Sequence, residues 1–203
     1  SFPVIRRISP LAALVGAGVC ALGWWLSPVR FYEAYLLAFL FVTGVSLGCL
    51  AILMIYHLVG GRWGFVSLRT LEAGALPLVI APLAALPLAW GVDELYVWAQ
   101  ADVVAHDSLL QEKAAYLNEP FFLARSAGYL LLWALMSGLM CGLSPRQDAS
   151  NQTVARRRVW LLRSSAIGLV LYGLSVTFAA VDWMMSLEPH WFSAIYGVLA
   201  MAG

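Results

Sequence analysis

AYLLAFLFVTGVSLGCLAILMIYHLV, residues 34–59, contains no Asp, Glu, Lys or Arg and outruns the roughly 20 apolar residues that a helix needs to cross a bilayer core. A buried helix of a soluble domain is rarely apolar for so long, so this stretch alone makes the chain a membrane protein. The rest of the sequence agrees. Of 203 residues, 62% are hydrophobic, 13% aromatic and only 11% charged, against about 25% charged in a soluble domain. A net charge of +1 gives no general basis for nucleic-acid binding, and this hydrophobicity excludes a disordered chain. Cys20, Cys49 and Cys141 are far apart inside apolar stretches, so they form no CxxC, zinc or iron–sulfur motif and read as small packing residues.

Four further runs have the same character: Pro10–Ser27, Ala73–Trp90, Phe122–Leu143 and Ser165–Met185. The expected fold is therefore an all-α polytopic transmembrane helix bundle with five complete spans. A sixth run, Phe192–Gly203, reaches only about 18 Å at 1.5 Å per residue, so it reads as the start of a span in a chain cut short. Arg6 and Arg7 precede an apolar run with no clear cleavage site, so no cleavable signal is expected. Alternating the loops places Arg6, Arg7, Arg62, Arg69, Arg146, Arg156, Arg157, Arg158 and Arg163 on one face, and Arg30, Lys113 and Arg125 on the other. The positive-inside rule then puts the N-terminus and the Arg-rich face in the cytoplasm. Trp24, Trp25, Trp90, Trp98, Trp183 and Trp191 fall near the outer interface and Trp63 and Trp160 near the inner one, as an aromatic belt requires.

Gly44–Gly48 and Gly138–Gly142 have the small-xxx-small spacing of close helix contacts. The outer connection carries Val103, Leu110, Ala114, Leu117 and Phe121 on one helical stripe, which predicts an amphipathic surface segment over residues 92–118. Asn118, Glu119 and Pro120 suit the N-terminus of the next span. The inner connection Ser144–Arg158 reads as polar and irregular. Pro77, Pro82 and Pro87 each remove an amide donor from the third span, which should bend or unwind it and free carbonyls near Ala73, Leu78 and Leu83.

An ionisable group at membrane depth costs about 2.5–3.5 kcal/mol on insertion scales, and four positions stand there or at its boundary. Depth groups His57 with Glu72 near the cytoplasmic face and Arg125 with Asp182 near the outer one. Structural ion pairing is the plainer reading of all four. The sharper reading is a proton path, for which imidazole and carboxylate are natural carriers. The run VDWMMSLEPHWFSAIYGV, residues 181–198, adds Glu188 and His190 to Asp182 at the outer mouth. The candidate proton path is therefore His57, Glu72, Asp182, Glu188, His190 and Arg125, with Thr43, Ser46, Tyr56, Ser175 and Thr177 between the two ends. No catalytic residue is assignable. A single intramembrane histidine does not supply the two imidazoles of a transmembrane b-type haem. His106 with Asp102 and Asp107 reads as a solvated helix face rather than a metal site.

DWMMSLEPHWFS at Asp182–Ser193, GGRWGFVSLRTLEA at Gly60–Ala73 and LLQEKAAYLNEPFFLAR at Leu109–Arg125 together resemble the ActF-type membrane subunit of alternative complex III, a bacterial quinol:cytochrome c oxidoreductase related to NrfD/PsrC-like membrane proteins. The resemblance spans most of the chain, and its first run is the most specific. It implies a ten-helix subunit in the bacterial inner membrane, of which this sequence covers about the first half. It also implies no haem of its own and a homologous membrane subunit that faces the quinol. Iron–sulfur and c-type haem subunits would carry the electrons, alongside lipid contacts and a terminal oxidase as a further partner. Two other readings compete. One is a quinone-binding catalytic anchor of the NrfD/PsrC kind; the other, favoured only by the proline-rich span, is a small-molecule transporter.

Overall fold

The computed structural model describes residues 15–60, 66–143 and 151–202. Among them every regular element is helical: α1 (Val15–Leu26), α2 (Pro28–Val59), α3 (Leu68–Ala75), α4 (Pro77–Ala84), α5 (Leu86–Trp90), α6 (Val92–Leu95), α7 (Ala101–His106), α8 (Ser108–Lys113), α9 (Glu119–Leu143), α10 (Asn151–Trp183) and α11 (Tyr196–Ala202). Four helical stretches are long and apolar enough to cross a membrane: Pro28–Val59, Leu68–Trp90, Glu119–Gly142 and Arg158–Leu187. The expected first span lies partly outside the described residues; its described part is the shorter apolar helix α1.

The bundle is built on α2 and α10, which pack against each other. Helix α3 leans on α2, α4 on α9, and α11 on α10. Leu50, Leu53, Met54, Leu78, Trp133 and Met140 are buried where these helices meet. The outer faces are equally apolar: Leu37, Phe41 and Leu135 are each more than 70% exposed. Apolar surface on this scale is what lipid, rather than water, accommodates.

Local chemistry fixes the helix ends. Pro28 opens α2 at a position where the missing N–H costs nothing. Gly60 closes it with φ +71°, a conformation that side-chain-bearing residues avoid, and its N–H bonds to the Tyr56 carbonyl. The Asn118 side chain accepts from the Phe121 N–H at 3.1 Å and so caps α9.

The proline-rich span is interrupted at Leu76 and Ala85 yet continuous, because both junction residues keep right-handed helical dihedrals. The carbonyls that find side-chain partners are Ala75 and Ala84 rather than those expected from the proline positions. At the first junction the Val79 N–H shortens its bond to reach Leu76, leaving the Ala75 carbonyl to accept from Ser137 Oγ at 2.7 Å. Tyr35 Oη donates to the Ala84 carbonyl at 2.8 Å. Neighbouring hydroxyls thus satisfy backbone that the prolines disrupt.

Three expectations are corrected. The outer connection is not one amphipathic helix. It folds as α6, a 3₁₀ turn over Val97–Ala99, α7 and α8, and Val92, Tyr96, Trp98 and Leu110 make its buried face. The Asp107 carboxylate accepts from the Leu109 and Leu110 N–H groups, starting a new helix where the stripe assumed continuity. The inner connection is helical from Asn151 onward, while residues 144–150 lie outside the described ones. Finally, Gly44, Gly48, Gly138 and Gly142 face open space, and the close approaches fall elsewhere. A Cβ on Gly74 would meet Cys49 Sγ at 2.5 Å, one on Gly168 would meet Met54 Sδ at 2.8 Å, and one on Gly91 would meet the Tyr32 ring at 2.4 Å.

Candidate functional site

Arg125 stands on α9 less than two turns beyond its Asn118 cap, and Asp182 is the penultimate residue of α10. The structure joins them. Arg125 Nε donates to Asp182 Oδ2 and Nη2 to Oδ1, both at 2.9 Å, in the parallel two-bond geometry that suits guanidinium and carboxylate. Tyr129, one turn along α9 from Arg125 and on the same face, donates its hydroxyl to Asp182 Oδ2 at 2.9 Å. Arg125 Nη1 donates to the Tyr116 carbonyl at 3.1 Å. The guanidinium carbon lies 3.9 Å from the centre of the Tyr116 ring and 4.2 Å from that of Phe121, within cation–π range. The Asp182 side chain is fully buried and that of Arg125 only 11% exposed. The Tyr116 phenol, in the turn before α9, is pushed up to about 12, first by desolvation and then by the Asp182 carboxylate.

The same corner is tied to the outer segment. Tyr96 Oη donates to the Trp183 carbonyl at 3.1 Å, and Trp183 Nε1 donates to Ser126 Oγ at 2.9 Å. Burial first, and then the Asp182 charge, raises the Tyr96 phenol above its ordinary value.

The other outer candidates do not join this knot. His190 Nε2 lies 2.8 Å from Asp107 Oδ2, and Lys113 Nζ donates to the Pro189 carbonyl at 2.6 Å. The loop after α10 is thereby pinned to α8. Desolvation pushes the Asp107 carboxyl up, but the Leu110 and Leu109 N–H groups and then His190 outweigh it and hold the group below the usual carboxylate range. Glu188 is exposed. His106 Nδ1 lies 2.8 Å from the Asp102 carbonyl, and among the described residues no three His, Cys, Asp or Glu side chains gather as a metal would require.

At the opposite end, Glu72 is buried and accepts from Arg69 Nη1 at 2.8 Å, one turn earlier on α3. Cys141 Sγ approaches the Glu72 carbonyl at 3.6 Å. His57 Nε2 is sealed from solvent and makes no hydrogen bond, so Glu72 is not its partner through that nitrogen. Of the polar residues between the two ends, Ser175 Oγ accepts from Trp133 Nε1 at 2.8 Å and Thr177 Oγ1 donates to the Gly173 carbonyl at 2.7 Å. Thr43 and Ser46 are buried.

Two cavities among the described residues lie beside these groups. One, of about 350 Å³, lies between α2, the proline-rich span and α9 beneath Tyr96. The other, of about 470 Å³, lies between α2, α10 and α11 with Trp133 at its wall. Tyr116, Tyr129, Tyr96 and Ser126 were not among the sequence candidates. Of these, only Tyr129 carried a usable signal, its four-residue spacing from Arg125. No family model matches the chain, and no curated protein matches it.

Proposed function

We propose that this chain is an integral membrane subunit of a respiratory quinol:cytochrome c oxidoreductase of the alternative complex III type. On this reading it lies in a bacterial inner membrane with a cytoplasmic N-terminus, and its helices support assembly and proton translocation. One observation carries the proposal. The sequence runs Leu109–Arg125 and Asp182–Ser193, which bear the resemblance, meet through Arg125–Asp182 and through Lys113 on the Pro189 carbonyl. The motif residues are thus engaged with one another rather than scattered.

The proposed proton route enters at His57 and Glu72 and leaves at the outer mouth, where Asp182, Glu188 and His190 stand, with Arg125 holding Asp182. Because Asp182 accepts three hydrogen bonds from Arg125 and Tyr129, a proton reaches it only when that knot opens. No direct hop spans the distance between the ends, so water or intervening hydroxyls complete the path. Haem c and iron–sulfur clusters belong to partner subunits on this reading, and a homologous membrane subunit faces the quinol.

The test uses intact complex carrying Asp182→Asn or His57→Gln, which keep size and hydrogen-bonding capacity but remove the titrating group. Lower proton release per electron with quinol oxidation retained supports the route. Unchanged stoichiometry overturns it. Loss of quinol:cytochrome c activity from membranes lacking this chain, restored by the wild-type chain, supports the broader assignment, and undiminished activity contradicts it.

A further inference from the structure

The cavity between α2, the proline-rich span and α9 has a graded lining. Leu83, Leu86 and Leu131 form an exposed lip, while Phe39, Phe122 and Leu130 form a buried floor. The cavity therefore opens sideways, between the proline-rich span and α9, toward whatever surrounds the bundle. The polar side chains of the lining are Tyr96, Ser126 and Trp183, and they are engaged with one another. Trp183 Nε1 donates to Ser126 Oγ at 2.9 Å, and Tyr96 Oη donates to the Trp183 carbonyl at 3.1 Å. With these groups so occupied, the lining selects hydrocarbon, since a polar ligand group entering it loses water and finds no comparable partner.

Dimensions narrow the occupant. Along α9 the lining runs from Phe122 to Leu131, about 14 Å at 1.5 Å per residue. Phe122 is in the first turn of α9, so the cavity begins at the end of the bundle that carries the outer segment and stops near mid-membrane. One leaflet's hydrocarbon is about 15 Å deep, half of the roughly 30 Å core. The volume is about 350 Å³. A partner helix does not fit, because a cylinder about 10 Å across occupies about three times that volume over the same length. A single acyl chain meets both limits.

Charge at the outer end of the cavity selects among lipids. Glu33 stands one turn outward of Leu36 on α2, Glu119 one turn outward of Phe122 and Leu123 on α9, and Glu94 directly precedes Leu95. All three are exposed, and among the described residues none is in an ion pair. Arg30 lies one turn further toward the start of α2. Three carboxylates and a guanidinium suit the ammonium and the phosphate of a zwitterionic headgroup. An anionic headgroup brings no cation for the carboxylates. We propose that this cavity holds one acyl chain of a phosphatidylethanolamine from the leaflet beside the outer segment, with its ammonium among Glu33, Glu94 and Glu119. The site goes beyond the respiratory role proposed above and rests only on the bundle's standing in a membrane.

The probe is a phosphatidylethanolamine carrying a diazirine halfway along one acyl chain. It is added to the purified protein in vesicles of phosphatidylethanolamine and phosphatidylglycerol, and labelled residues are mapped by mass spectrometry. Label is expected on Phe39 and Leu130, which are buried and out of reach of lipid around the bundle. It should be lost in Ala127→Phe, which fills the cavity from its exposed edge. It should persist in Gly128→Phe, at the next position of α9, where a side chain meets nothing within 4 Å. Label on the outward Leu37 and Leu135, unchanged in every variant, reports that the bundle still stands. At equal mole fraction, unlabelled phosphatidylethanolamine should displace the probe about twofold to fivefold better than phosphatidylglycerol. That preference should vanish in the triple variant Glu33→Gln, Glu94→Gln and Glu119→Gln, whose changes are all exposed. Label absent from Phe39 and Leu130 in the wild type, or unchanged there in Ala127→Phe, overturns the site. Equal displacement by the two lipids, or a preference kept by the triple variant, overturns the headgroup assignment. Stronger displacement by the isoprenoid alcohol solanesol overturns a phospholipid occupant. No readout requires partner subunits, so a failed respiratory assignment and a failed lipid site are told apart.

Discussion

Replacing Arg125 by alanine should be among the most damaging single changes in this bundle. The substitution removes two charge-assisted bonds from Asp182 and leaves its carboxylate, which is 0% exposed, with Tyr129 alone. Breaking a buried pair by removing one partner costs about 3–5 kcal/mol, because the surviving charge has neither water nor counter-ion. For a chain of this size each kcal/mol shifts the melting temperature by about 2–4 °C. The expected fall in Tm is therefore about 6–20 °C, measured by tryptophan fluorescence in detergent against the exposed control Glu188→Gln. Asp182→Asn should fall less far, since the guanidinium keeps the Tyr116 carbonyl and its two aromatic faces. In the double variant Arg125→Ala with Asp182→Ala no orphaned charge remains, so the two losses should fail to add by about 1–3 kcal/mol. If Arg125→Ala melts within about 0.5 kcal/mol of the exposed control, the knot does not hold the bundle together.

Single cysteines at Ser108 and Ser150 in a cysteine-free background should label differently with an impermeant thiol reagent, only Ser108 reacting from outside; equal or reversed labelling refutes the cytoplasmic N-terminus. Ser137→Ala strips the Ala75 carbonyl of its partner and should cost about 1–3 kcal/mol in thermal unfolding, whereas an unchanged Tm would show that another donor or water replaces it. Asp107 is held below its ordinary pKa, so the ionised form is the one the fold favours. Its capping of α8 should be intact above the ordinary carboxylate value and lost as pH falls through the lowered one, seen as a fall in the protection of the Leu109 and Leu110 amides relative to their intrinsic exchange rates at each pH. Exchange already fast at neutral pH, or insensitive to Asp107→Asn, contradicts that. Gly91→Ala should destabilise by about 1–3 kcal/mol because its Cβ enters the Tyr32 ring, and no loss would show that the ring is free to move.

Hydropathy located the long helices well because lipid demands uninterrupted apolar residues, and Asn118 marked the start of α9 through its side-chain acceptor. Hydropathy missed the first turns of α10, since Asn151–Arg163 is a polar segment whose helicity comes from good helix formers and freedom from Gly and Pro. Asp107 and Ser108 held a readable interruption of the outer stripe, an N-cap, which periodicity overrode. Shared depth grouped Arg125 with Asp182, but only three-dimensional packing supplies Tyr116 and Tyr129 or sends His190 to Asp107. Spacing named glycines able to approach a neighbour; which ones do so depends on what lies opposite, and that was Cys49, Met54 and Tyr32.

The central proposal, membership of a quinol-oxidising respiratory complex, is tested most directly by purifying this chain from native membranes in mild detergent and recording its spectra. The account predicts that c-type haem absorbance and reduced iron–sulfur resonances co-elute with the chain in fixed ratio, in a fraction that reduces cytochrome c with quinol. A chain that elutes intact and free of both signals, while the quinol:cytochrome c activity of the same membranes elutes elsewhere, contradicts it.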